Sequence, residues 1–255
     1  MSPLLQVRQL NRRFGGLQAV KNVCFDVRRH QIKAVIGPNG AGKTTLFNLI
    51  AGSLPADEGE VLFDGRSISN WPAHRVAGAG IARTFQNIKL FGNLTVLENV
   101  MVGCHIRARA GMLAGMFRAP HTRAEEARIR TRACELLDLL GIADLADRPA
   151  GALAFGQQRA VEFARALGLD PSLLLLDEPA AGLNIHETAQ LGEIIRKIRA
   201  LQITILLVEH DMSLVMDISD EIVVLSFGEK IAEGRPAEIQ RHPDVIRVYL
   251  GDDHA

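Results

Sequence analysis

Residues 32–50 read IKAVIGPNGAGKTTLFNLI: an apolar strand run, a glycine-rich turn and a helical pattern in unbroken succession. The turn is built from Gly37, Pro38, Asn39, Gly40, Ala41 and Gly42. Residues this small let backbone amides close around phosphate oxygens at the positive end of the helix that follows. Lys43 brings a charge for the β- and γ-phosphates, and the Thr44 hydroxyl, with Thr45 beside it, brings an oxygen ligand for Mg2+. Gly-x4-Gly-Lys-Thr between a strand and a helix therefore predicts a nucleotide site, not a structural turn.

Such a loop needs an acidic partner at the end of a neighbouring strand. Leu173–Leu176 followed by Asp177 and Glu178 supplies it. Asp177 is placed to hold Mg2+, and Glu178, one residue on, to orient an attacking water and take its proton. The runs SLLLLD and ITILLV do not alternate polar with apolar, so they read as strands buried on both faces of a parallel sheet covered by helices. Further strand runs lie at LLQVRQL, VCFDV, GEVLFDG and EIVVLSFGEKIAEG, and helical patterns at HETAQLGEIIRKIRAL and DMSLVMDI. From about 94 to 169 no strand signal occurs. The expectation is one α/β domain, with a core over about 1–93 and 170–255 and an inserted helical subdomain over about 94–169. Within the insert, Arg107, Arg109 and Arg118 beside Met112, Leu113, Met116 and Phe117 read as a mobile helical connection, with a membrane or partner contact as the alternative.

Lys and Arg total 29 against 29 Asp and Glu, so no global field favours nucleic acid or an anionic membrane. Cys24, Cys104 and Cys134 lack metal-ligand spacing and read as small buried hydrophobes in a reducing compartment. The N-terminus has no apolar leader segment, and no run reaches the ~18 apolar residues of a membrane span. The chain is expected in the cytosol, held at a membrane only through a partner.

Residues 153–159, LAFGQQR, open a helix with apolar positions at Val161, Ala164 and Leu167. No Ser, Thr, Asp or Asn stands immediately before it to cap its first amides. Together these segments resemble the ATP-binding subunit of an ABC transporter over essentially the whole chain. The resemblance implies a P-loop ATPase fold with a RecA-like parallel-sheet core, an N-terminal antiparallel β region and the helical insert. Leu153, Gly156 and Gln157 align with the family's Leu-Ser-Gly-Gly-Gln signature, Ala154 standing in place of the serine. That alignment gives the uncapped helix a use: its amides bind the γ-phosphate of ATP held by a second subunit.

Four other positions carry the resemblance. Gln86 in ARTFQN is similar to the glutamine that senses Mg2+ and the γ-phosphate and joins core to helical subdomain. His210 in LLVEHD is similar to the switch histidine at the γ-phosphate. Phe14 is similar to the aromatic that stacks on adenine, with Val20 in the same pocket. AAGLN, residues 180–184, is similar to the loop crossing the dimer interface, with Asn184 where many members carry Asp. ARTFQNIKLFGNLTVLENV, LDEPAAGLNIHET and HPDVIRVYLG resemble the bacterial branched-chain amino-acid uptake systems.

The resemblance implies ATP and Mg2+ as cofactors and ATP hydrolysis powering an importer at the cytoplasmic face of the bacterial inner membrane. Implied partners are membrane permease subunits, contacted around 86–99, a second ATP-binding subunit in a head-to-tail homo- or heterodimer, and indirectly a solute-binding protein. Lipopolysaccharide export and urea or amide uptake stay open as other cargoes. A chromosome- or ribosome-type ATPase fits less well: the chain has one cassette, no long coiled coil between Lys43 and Gly156, and no basic or aromatic platform for nucleic acid.

Overall fold

A computed structural model describes residues 2–105 and 120–250; the residues singled out between 107 and 118 lie outside them. The chain divides into two compact units, residues 1–83 with 172–255, and Thr84–Pro171.

The first unit begins with β1 (Leu5–Phe14), β2 (Leu17–Val27), β3 (Ile32–Ile36), α1 (Lys43–Ile50), β4 (Glu58–Phe63), β5 (Arg66–Ser67), α2 (Ala73–Gly78) and β6 (Ile81–Arg83). The second unit holds α3 (Val96–His105), α4 (Pro120–Leu140) and α5 (Phe155–Leu167). The chain then returns to the first with β7 (Leu173–Asp177), α6 (Ile185–Ala200), β8 (Thr204–Val208), α7 (Met212–Ile218), β9 (Glu221–Ser226), β10 (Glu229–Gly234), α8 (Pro236–Ile239) and α9 (Pro243–Leu250).

Two sheets form the first unit. One is antiparallel, in the order β2-β1-β4-β5; the other runs β10-β9-β3-β8-β7-β6. In the second, β9, β3, β8, β7 and β6 are mutually parallel and only β10 is antiparallel. Every residue of β3, β7 and β8 is buried, as expected of central, mainly apolar parallel strands. Val35, Leu173, Leu175, Leu206, Val208, Val223 and Leu225 take one face of that sheet into a core shared with the antiparallel sheet and with Leu46, Phe47 and Ile50 of α1. The opposite face is buried too, and α6 and α7 bury Leu191, Ile195 and Ile198, and Leu214, Val215 and Ile218.

A cation sits inside this sheet. Lys33 on β3 is 1% exposed. Its Nζ lies 3.1 Å from Glu221 and 2.5 Å from Glu233, and donates to the Asp26 carbonyl at 2.5 Å. The pairing neutralises a cation that burial alone would forbid.

In the second unit, Ile129, Ala133, Leu136, Leu137 and Leu140 are buried at helical spacing along α4. Helix α3 begins with a capping box: Glu98 Oε2 accepts from the Thr95 amide at 2.8 Å, and Thr95 Oγ1 accepts from the Glu98 amide at 3.1 Å. Helices α3 and α5 cross at Gly103. A Cβ there would fall inside van der Waals contact with the Arg165 carbonyl oxygen.

Several expectations shift in detail. The run EIVVLSFGEKIAEG is a hairpin, β9 and β10, that turns at Phe227–Gly228. The short strands β5 and β6 and the helices α2, α8 and α9 are additions to the sequence reading. Of the three cysteines only Cys104 is buried, and Cys134 is exposed. Residues 84–93 group with the helical unit and not with the core, because helix side chains hold their backbone. Arg159 binds the Phe85 and Gln86 carbonyls, and Asn99 binds Phe91. Among the described residues no helix is long and apolar enough to cross a membrane.

Gly103→Ala should push α3 from α5, since the neighbour it meets is rigid backbone. Overpacking of this kind costs about 1–3 kcal/mol. A lowered denaturant midpoint at unchanged m-value checks it, and an unshifted midpoint counts against the close crossing.

Candidate nucleotide site

The glycines of the loop after β3 are explained by what surrounds them. Gly42 has φ +97°, and a Cβ on it would collide with the Ala19 carbonyl oxygen; a Cβ on Gly37 would collide with that of Leu225. The loop is thus pressed between β2 and β9, leaving no room for side chains on that side. It is tied there by the Gly228 amide, which donates to the Ala41 carbonyl at 3.1 Å. Within it, Ala41 N–H bonds the Pro38 carbonyl at 3.1 Å.

Helix α1 then starts at Lys43 with left-handed Gly42 before it, no side-chain cap and no acidic residue in its first turn. Its first amides and the positive end of its dipole are available to an anion. Asn39–Thr45 line an open cleft of about 380 Å³ with Phe14, Leu17, Gln18, Ala19, Glu178, His210 and Phe227. Lys43 is 5% exposed, and its Nζ donates to the carbonyls of Gly37 at 2.7 Å and Pro38 at 2.9 Å. Burial lowers its pKa, and the nearby Glu178 charge opposes the shift.

Asp177 ends β7 and is 4% exposed; its Oδ2 accepts from Arg83 Nη2 at 2.7 Å, and Arg83 Nη1 reaches Asn48 on α1 at 2.7 Å. Glu178 follows in a left-handed conformation, φ +46°, with its amide bonded to the Val208 carbonyl at 2.9 Å. That strained turn costs of order 1–3 kcal/mol and aims the carboxylate into the cleft. Its Oε1 lies 2.9 Å from His210 Nε2. Since a carboxylate only accepts, the bond is made by an imidazole that carries its proton on Nε2.

One sequence-predicted residue settles elsewhere. Val20 is fully buried in the apolar core, and its neighbours Leu17, Gln18 and Ala19 line the cleft instead. An irregularity in β2 explains the exchange: Val20 pairs with Arg12 and Gln18 with Arg13, so Ala19 is an extra residue between them and simple alternation breaks where the strand meets the cleft. Asn184 is occupied as a helix cap: its Oδ1 accepts from the Glu187 amide at 3.0 Å, and Glu187 Oε2 accepts from the Asn184 amide at 2.9 Å. Phe14 is 43% exposed, with the Arg12 guanidinium over one side of its ring at 4.9 Å.

The remaining candidates belong to the second unit. Gln86 is exposed in an irregular loop. Helix α5 begins at Phe155 with Ala154 as its cap residue, and no side chain caps its first amides. Gln157 Oε1 instead accepts from the Ala154 amide at 3.2 Å, which leaves the helix N-terminus open to an anion. Leu153 is buried, while Phe155 is 44% exposed.

Sequence reasoning missed Glu209, Arg83 and Phe227. Glu209 is 3% exposed and accepts three backbone amides: Ala180 at 2.6 Å, His210 at 2.8 Å and Asp211 at 3.2 Å. It fastens the chain after Glu178 to the chain carrying His210. Its only sequence signal is an acid directly after a buried strand. Burial raises its pKa against those three amides.

The folded chain therefore holds the Glu209 proton to higher pH than the unfolded chain does. Its contribution is complete below the ordinary carboxylate range and is lost as pH rises through the raised value. Glu209→Gln cannot accept all three amides and should lower unfolding free energy by about 1–3 kcal/mol while flattening that slope. Urea denaturation across pH 4–8 reads both; unchanged curves would remove Glu209 from this role.

The ABC transporter family matches residues 20–181, and the family described as branched-chain amino acid ATP-binding cassette transporter matches residues 229–255. The high-affinity branched-chain amino acid transport ATP-binding protein BraF of Pseudomonas aeruginosa is 45% identical over 98% of each chain. A crystal structure of the ADP conformation of an ATP-binding cassette of an ABC transporter superposes with TM-score 0.86 at 33% identity, over 99% of this chain and 100% of that one. A dimeric cassette in a post-hydrolysis state with ADP and Pi superposes with TM-score 0.76 at 25% identity, over 91% and 98%. A phosphate loop pressed between two strands, facing a carboxylate–imidazole pair, thus sits in a chain whose likeness runs from end to end. The chain belongs to the ABC transporter family, as one of its ATP-binding cassettes.

Proposed function

We propose that this chain is the ATP-hydrolysing subunit of an importer for branched-chain amino acids, working against membrane permeases and completing its sites by pairing head to tail with a second ATP-binding subunit. The observation that carries the reading is the cleft of the first unit. It joins the open start of α1, buried Lys43 and the Glu178–His210 pair, in a chain 45% identical over nearly its whole length to a branched-chain amino-acid transport ATPase.

In this reading the amides of Asn39–Thr45 hold the phosphates, and Lys43 exchanges its bonds to the Gly37 and Pro38 carbonyls for β- and γ-phosphate oxygens. The exposed face of Phe14, opposite Arg12, takes the adenine. Thr44 and Asp177 offer hard oxygen donors and little else. That fits Mg2+, which keeps several waters and binds through one or two protein oxygens plus phosphate. When bound, the ion neutralises charge on the triphosphate.

Glu178 accepts the proton of the water that attacks the γ-phosphorus as the bond to the ADP oxygen breaks. His210 holds the Glu178 carboxylate by its Nε2–H and turns to the γ-phosphate when ATP arrives. Leu153, Ala154, Gly156 and Gln157 present the open helix N-terminus to ATP on the other subunit. The segment from Gln86 to Asn99, with Lys89 and Phe91 exposed, meets the permease at the cytoplasmic face. A solute-binding protein delivers cargo on the other side.

Reconstitution with permeases and a leucine-loaded binding protein tests the whole reading. Uptake of leucine that needs this chain supports it, and uptake of a different solute class moves the cargo. Glu178→Gln should keep ATP affinity, lower turnover at least 100-fold and accumulate an ATP-bound dimer. Lys43→Ala should weaken ATP binding itself. Near-parental turnover in Glu178→Gln would move the base elsewhere.

A serine hydroxyl at 154 would add a hydrogen bond to a phosphate oxygen, worth roughly 1.5–3 kcal/mol. On a Glu178→Gln background, Ala154→Ser should therefore tighten ATP-driven dimerisation by about 10- to 100-fold. Sedimentation with titrated ATP reads it, and an equal or smaller dimer fraction shows that this site does not use the hydroxyl.

A further inference from the structure

Helix α5 carries a buried ion pair that the reaction does not use. Arg159 and Glu162, one turn apart, are each 2% exposed. Arg159 Nη1 donates to Glu162 Oε2 at 2.8 Å and to the Phe85 carbonyl at 2.9 Å, while Nη2 donates to the Gln86 carbonyl at 3.1 Å. Glu162 Oε1 accepts the Phe85 amide at 3.3 Å. The pair therefore holds both backbone groups of Phe85 and one of Gln86.

A helix gains only a few tenths of a kcal/mol from such a pair at its surface, and a buried one is often no more stabilising than apolar residues of similar volume. Helix stability is a poor reason for it. What an apolar pair cannot do is satisfy the backbone of a loop without a ladder of its own. Residues 84–94 form such a loop. Its far end is secured in the same manner. Asn99, fully buried on α3, accepts from the Phe91 amide at 2.9 Å and donates to the carbonyls of Phe91 at 3.1 Å and Thr95 at 3.0 Å. Asn87 and Lys89, both exposed, lie between these two fastenings.

We propose that Arg159 and Glu162 are positioning residues that lock the Phe85–Gln86 backbone to the signature helix, so that a push on residues 87–91 displaces the helix start at Ala154–Gly156 together with Gln86. The consequence for transport rests on the function proposed above; the locking itself does not. Arg159 stands one turn past Gly156, so the path from loop to phosphate-binding amides is a guanidinium and a single helical turn. The planar fork suits the task, because it meets two successive carbonyls and a carboxylate at fixed angles.

The test uses Arg159→Met/Glu162→Leu, which removes both charges and strands neither, and Arg159→Lys, which keeps the charge but gives up the fork. In the isolated chain, amide exchange of residues 84–87 should accelerate at least tenfold in the double variant, with strand residues 173–177 unchanged. In the permease complex both variants should keep ATP affinity and basal ATPase within twofold of the parent. The stimulation of ATPase by leucine-loaded binding protein should fall at least fivefold. A folded double variant with parental stimulation overturns the proposal, and so does parental exchange at 84–87. If the double variant melts early, Arg159→Lys decides by the same ratio. A parent complex that shows no stimulation by leucine-loaded binding protein speaks against the transport reading, while amide exchange still decides whether the pair holds the loop.

Discussion

One close backbone approach in the first unit governs much of the rest of it. The loop after β3 is wedged between the Ala19 and Leu225 carbonyls, and only the missing side chains of Gly42 and Gly37 permit this. The wedge sets where α1 begins and turns its unsatisfied amides outward. Because β3 lies between β8 and β9, the same wedge lines the helix start up with the strand ends that carry Glu178 and His210. Apolar burial of β3, β7 and β8 provides the stability against which this crowding is held.

Electrostatics near the loop follow one plan. Three buried charges are each held by fixed partners: Lys43 by the loop carbonyls, Asp177 by Arg83 on β6, Glu209 by three amides. An ion pair such as Asp177–Arg83 adds little net stability, since desolvation offsets most of the Coulomb gain. The value of these contacts lies in geometry, because a charge held by fixed partners cannot drift. Lys33 answers to Glu221 and Glu233 toward the other end of the same strand, so β3 is anchored electrostatically at the end away from its glycine turn.

Much of this was legible from residues in order. The loop 37–45, the four-leucine strand and the open start of α5 each declare themselves within a dozen positions, because their physics is local. What was not legible depends on partners distant along the chain. Strand β6 has three residues and gains its place by pairing with β7, ninety residues on. Residues 84–93 carry no periodicity, so their membership of the helical unit rests on distant partners: Arg159, Glu162, Asn99 and the Gly151 amide, which donates to the Gly92 carbonyl at 3.1 Å. Val20 and Ala19 differ by one position, and only the register of β1 on β2 fixes which of them faces the core. Asn184 reads as a departure from a motif until its side chain is seen closing a helix.

The attachment made by Glu209 has an evolutionary corollary. It grips the peptide groups of residues 180, 210 and 211 and leaves their side chains alone. This contact asks only an amide hydrogen of 180 and 211 and bars proline alone, although burial of Ala180 and the Asp211 cap on α7 set demands of their own. Drift at 209 is not permitted. The structural debt of three neighbouring positions is concentrated in one carboxylate, and lineages are free to retune the surface beside the nucleotide without disturbing the joint beneath it.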